Sequence, residues 1–107
     1  SVPDYCLAYD SGDRASAGIR QQAEEVFRYF KKPLKVTELG TAPLSVEGCE
    51  AVIYAAPSLA LAHNADGLSR YVEQGGYVFI ARLVETDDDF YRLYRKLGIN
   101  DVAEYRQ

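Results

Sequence analysis

Methionine is absent from all 107 residues, and histidine occurs once, at position 63. A complete translation product begins with methionine, so the expectation is a processed chain or a segment excised from a longer protein. Cysteine is scarce. Cys6 and Cys49 are the only two, and their spacing beside a lone histidine fits no zinc pattern. No run of basic residues exceeds Lys31-Lys32, and the formal net charge is −4. Nucleic acid phosphates demand a clustered positive face, so nucleic acid is set aside as a partner. No apolar run approaches the roughly 20 residues that span a bilayer, and no signal-peptide pattern is visible in these residues.

What remains is ordinary globular material. Hydrophobic residues make up 48% of the chain, enough for one small α/β domain over residues 1–107 with a single core and little surplus stability. Residues 5–9 (YCLAY) read as a strand buried on both faces, ended by Asp10-Ser11-Gly12. Ile19, Ala23, Val26, Phe27 and Phe30 then recur at helical spacing, with Asp13 or Ser16 as cap and Pro33 as stop. Glu24 and Arg28 have the spacing of an i,i+4 pair. Residues 34–39 (LKVTEL) and 51–56 (AVIYAA) read as the next two strands, separated by a connection carrying Pro43 and Gly48. Leu68, Tyr71 and Val72 mark a second helix that Gly75-Gly76 terminates. Residues 77–81 (YVFIA) form a fourth strand. Phe90, Leu93, Tyr94 and Leu97 mark a third helix, opened by Asp87 to Asp89 and stopped at Gly98, and residues 102–105 a final edge strand.

Apolar strands alternating with helices predict a mostly parallel sheet of four to five strands between helical layers, a three-layer sandwich with flavodoxin-like order 2-1-3-4(-5). The second and third strands lack a full helix between them, so residues 42–48 form either a short crossover or a departure from parallel pairing. In this order the first and third strands are neighbours, and both cysteines lie toward their starting ends. Two readings stand: a pair of buried thiols, or a Cys6–Cys49 bridge, against which neighbouring strands rarely offer the required Cβ directions.

Ligands in such sheets sit beyond the carboxyl ends of the strands. Residues 10–16, 57–64, 83–89 and 40–41 converge there. Asp10, Ser11, Gly12, Asp13, Arg14 and Ser16 combine small residues, hydroxyls and a guanidinium at a helix start, the materials of an anion cradle. Two aspartates repel phosphate, however, and neither G-x-G-x-x-G nor a Walker pattern is present, so no cofactor is expected. The alternative is a turn that caps a helix. Asp10 and Asp13 facing residues 85–89 would suit a metal-dependent phosphoryl site, but the third strand ends Ala55-Ala56-Pro57-Ser58 without an acceptor acid. Ser58, with His63 five residues on, lacks the flanking glycines of a nucleophile elbow. No catalytic residue and no metal ligand is therefore assigned. Nine tyrosines are explained mainly by packing, with an aromatic patch for a saccharide or a partner as the other reading.

"SRYVEQGGYVFIARL" and "CEAVIYAAPSLAL" resemble the late part of class I glutamine-amidotransferase-like domains: a helix closed by Gly-Gly before an apolar strand, and a strand running into the elbow position. The elbow glycines and cysteine are missing around Ser58, and no His-Glu pair follows the last strand. The resemblance thus implies the architecture without the amidotransferase reaction. "LAYDSGD", "EVFRYFKKPLKV" and "FYRLYRKLGI" together are similar to accessory domains of bacterial envelope proteins, some of which carry a polysaccharide-deacetylase-like domain. The expectation is a noncatalytic accessory domain that binds a partner or positions a neighbouring domain, in an envelope or extracytoplasmic setting, with Pro57 and Ser58 joining residues 10–16 as the ligand-facing rim. The alternatives are a small-molecule binder for a phosphate or nucleotide-like group, and the metal-dependent site at Asp10 and Asp13.

Overall fold

The computed structural model describes residues 4–40, 44–58 and 65–81. Four strands and two helices follow one another: β1 (Asp4–Tyr9), α1 (Arg14–Tyr29), β2 (Leu34–Glu38), β3 (Cys49–Ala55), α2 (Ala65–Glu73) and β4 (Tyr77–Ile80). The sheet is wholly parallel in the order β2-β1-β3-β4. The expected third helix, the final edge strand and the segment 82–89 lie outside the described residues.

Given this order, handedness fixes the faces that the helices take. α1 carries the chain one way, from β1 to β2, and α2 carries it the other way, from β3 to β4. Right-handed crossovers in opposite directions put their helices on opposite faces. Register confirms this. Cys6 is paired with Val52 and Ala8 with Tyr54, while Val52 is paired with Val78. That face packs against Leu68 and Tyr71 of α2. The alternate residues of β1 face α1, where Tyr5 meets Phe27 edge to face with ring centres 5.5 Å apart. The chain passes from β2 to β3 as a short crossover, with Leu39 and Leu44 buried in the core beside Ala8 and Tyr54. The three-layer α/β sandwich is therefore formed, and β2 and β3 each pair with β1 and not with one another.

Both helices stop in the same way. Gly75 stands at φ 97°, its amide bonded to the Val72 carbonyl and that of Gly76 to the Tyr71 carbonyl, the paired closing bonds of a Schellman motif. α1 closes with the same two bonds, Lys31 to Arg28 and Lys32 to Phe27. There the left-handed position, φ 55°, is held by Lys31, so α1 ends before Pro33 is reached.

Two expectations are corrected, and of the two readings of the cysteines one is observed. Val26 and Phe30 do not face the core; they are 52% and 65% exposed, because the stripe of α1 that meets the sheet is Ile19, Ala23 and Phe27. Glu24 pairs with Arg20, not Arg28, and Arg20 also stacks on the Tyr9 ring, 4.9 Å from its centre. The two cysteines are not separate thiols. Cys6 and Cys49 form a disulfide, with Cα atoms 5.8 Å apart. Its physical reason is a register irregularity. Tyr5 is paired with Ala51, yet Asp4 is paired with Cys49, so Glu50 is an extra residue in β3. Without that bulge, Cys49 would lie three residues from Val52, the partner of Cys6, and on the opposite face. One extra residue returns it to Cys6's face, where both join the cluster with Val52 and Tyr71.

Candidate functional site

The strand order reverses between β1 and β3, and their carboxyl ends form the crevice where doubly wound sheets receive ligands. The β1–α1 turn lies across this point. Asp10 accepts from the Gly12 amide through Oδ1 at 2.9 Å. Asp13, in extended conformation as the N-cap of α1, accepts from the Ser16 amide through Oδ2 at 3.0 Å. The Ser16 hydroxyl accepts from the Asp10 amide at 2.7 Å and donates to the Ala55 carbonyl. Ser16 is fully buried. One side chain thus ties the end of β1, the start of α1 and the end of β3 together, inside the crevice.

The expected rim residues divide accordingly. Asp10, Gly12, Asp13 and Ser16 come together, but their polar atoms are joined to one another: two of the amides that an anion cradle would offer are already held by carboxylates. Ser11 and Arg14 are exposed. The Ser11 hydroxyl donates to Glu38 at the end of β2, a carboxylate that sequence reasoning did not include, because only the sheet brings residues 27 positions apart into contact. Pro57 is half-buried and Ser58 is buried; Tyr54 Oη donates to the Ser58 carbonyl at 2.7 Å, which fixes the chain leaving β3. His63 and residues 83–89 lie outside the described residues. Among the described residues, no group of three or more His, Cys, Asp or Glu side chains is arranged to hold a metal ion.

A groove of about 790 Å³ opens at the other end of the sheet, where β3 and β4 begin. Val46, Gly48, Cys49, Arg70, Tyr71 and Gly76 are among the residues that line it. Tyr71 donates its phenol proton to the Cys49 carbonyl at 2.8 Å. Burial pushes this phenol above its ordinary range, the Glu50 charge adds to the shift, and a hydrogen bond from the Tyr77 backbone opposes it. Gly76 is required beneath the ring: a Cβ there would stand 2.3 Å from Tyr71 carbons. Gly75-Gly76 was legible as a helix stop; its second role, seating Tyr71, was not.

The sheet face bearing α1 is covered unevenly. α1 packs on β1, β2 and β3 and makes no contact with β4. Tyr77 and Phe79, which point to this face, are 74% and 68% exposed. The fold and these surfaces define a flavodoxin-like α/β domain with a wholly parallel sheet and a crossing point closed from within. No family model, curated protein or solved structure matches the chain. No helix among the described residues is long and apolar enough to cross a membrane.

Proposed function

We propose that this chain is a noncatalytic α/β binding domain that engages a protein surface, in a neighbouring domain or a separate chain. The observation that supports this is the buried Ser16 hydroxyl at the strand-order reversal. It occupies, with protein partners, the place where a ligand of such a fold would be held. The uncovered aromatic pair Tyr77 and Phe79 supplies a surface of the kind partners bury. The finer reading, an amidotransferase-like accessory domain without its nucleophile in a bacterial polysaccharide-related envelope protein, rests on the sequence motifs quoted above.

The test is a thermal-shift panel of nucleotides, flavin, sugar phosphates and Mg²⁺, run beside hydrolase and transferase assays of the wild type and Ser58→Ala. A ligand at a hundred times its dissociation constant would stabilise the fold by about 2.7 kcal/mol. The expected outcome is no shift and no turnover. A shift abolished by Arg14→Ala would replace this reading with an anion binder at α1, and one produced by Mg²⁺ and abolished by Asp10→Asn would replace it with a metal site. Turnover abolished by Ser58→Ala would make the chain an enzyme.

A further inference from the structure

Both cysteines of the chain are in the disulfide. The bridge joins the two central strands, β1 and β3, and closes a loop spanning 43 positions. It is buried, at 4% and 9% exposure for Cys6 and Cys49. Three separate features hold Cys49 in place for it. The Glu50 bulge turns it to the correct face. Gly48 precedes it at φ 76°, a conformation that favours glycine. The Tyr71 phenol holds its carbonyl. Among the described residues, the bridge packs against buried Val52 and the half-buried Val46, Tyr71 and Val78. A disulfide that closes a loop of this length removes conformational freedom from the unfolded chain and so favours the folded one.

We propose that this domain matures in an oxidising compartment and depends on the Cys6–Cys49 bridge for its native stability. Buried disulfides between core strands persist where thiols are oxidised and are rare where glutathione and thioredoxin keep them reduced. The oxidant is of the disulfide class. A thiolate of the chain attacks the oxidant's S–S bond, forming a mixed disulfide and releasing one thiolate. The chain's second thiolate then attacks the mixed disulfide at the chain's own sulfur, expelling the oxidant's other sulfur. Two protein S–H bonds are lost and one S–S bond forms, while two electrons and two protons pass to the oxidant, which leaves as two thiols. This inference does not rest on the binding function proposed above.

The deciding experiment is thiol trapping of the chain in intact source cells, followed by urea unfolding of the purified protein with and without a phosphine reductant. Alkylation is expected to find no free thiol until the chain is unfolded and reduced. Reduction is expected to lower the folded-to-unfolded ratio about a thousandfold, the size set by a loop of this length. Oxidised glutathione should restore the original midpoint. A Cys6→Ala/Cys49→Ala variant should unfold at one midpoint whatever the redox condition; should it fail to fold, that failure itself supports the dependence, and the wild-type comparison stands alone. Two alkylatable thiols in the natively folded chain, or equal midpoints with and without reductant, would overturn the proposal.

Discussion

Two buried serines make opposite predictions. Ser16 satisfies a backbone donor and a backbone acceptor from different elements. Ser16→Ala leaves both without that partner, and stability measured by urea denaturation should fall by about 1–3 kcal/mol. Ser69 is equally buried, but among the described residues its hydroxyl has no hydrogen-bond partner. Ser69→Ala removes an unsatisfied group and should leave the midpoint unchanged or raise it. Equal losses at both positions would show that burial alone, and not hydrogen bonding, sets the cost. Tyr71 adds a dependence on pH. Its phenol titrates higher in the folded chain than in the unfolded chain, so its contribution is complete below the ordinary phenol range and is lost as pH rises through the folded value. Wild-type stability should therefore fall above about pH 10, and more steeply than that of Tyr71→Phe, which carries no ionisable group at this position.

The elements show where local signals suffice. Proline and glycine mark the ends of the secondary structure because they act on the backbone directly: Gly75 takes a left-handed conformation and Asp13 caps α1 as its residue type predicts. Lys31 takes the same left-handed position at the end of α1 at a steric cost of roughly 1–2 kcal/mol that glycine does not bear. Lys31→Gly should raise stability by about 0.5–1 kcal/mol in urea unfolding, part of the gain being offset by the greater freedom of glycine in the unfolded chain. An unchanged or lower midpoint would mean that the lysine side chain holds α1 in a way the paired closing bonds do not reveal. The apolar stripe of α1 was less legible. A periodicity of 3.6 marks a face about 100° wide but not which edge of that face the sheet will cover. The narrow contact with β1, β2 and β3 takes Phe27 and leaves Val26 and Phe30 in solvent.

Among the described residues of the whole molecule, one sheet face is covered by α2 and the other only partly by α1. Tyr77 and Phe79 are therefore predicted to matter for association and not for folding. Tyr77→Ser and Phe79→Ser should each leave the unfolding free energy within about 0.5 kcal/mol of wild type, while lowering the fluorescence of a dye that reports exposed apolar surface. A large loss of stability would place these rings in the core. Within the described residues, the amino-acid sequence by itself determined the succession of strands and helices, the stop of α2 and the parallel order β2-β1-β3-β4. These follow from short-range periodicity and backbone chemistry. Tertiary structure alone decided that Cys49 meets Cys6, that Ser16 closes the strand-order reversal and that Tyr77 and Phe79 stay uncovered. Each depends on register between segments far apart in the chain, and a shift of one residue there reverses the face of every side chain that follows.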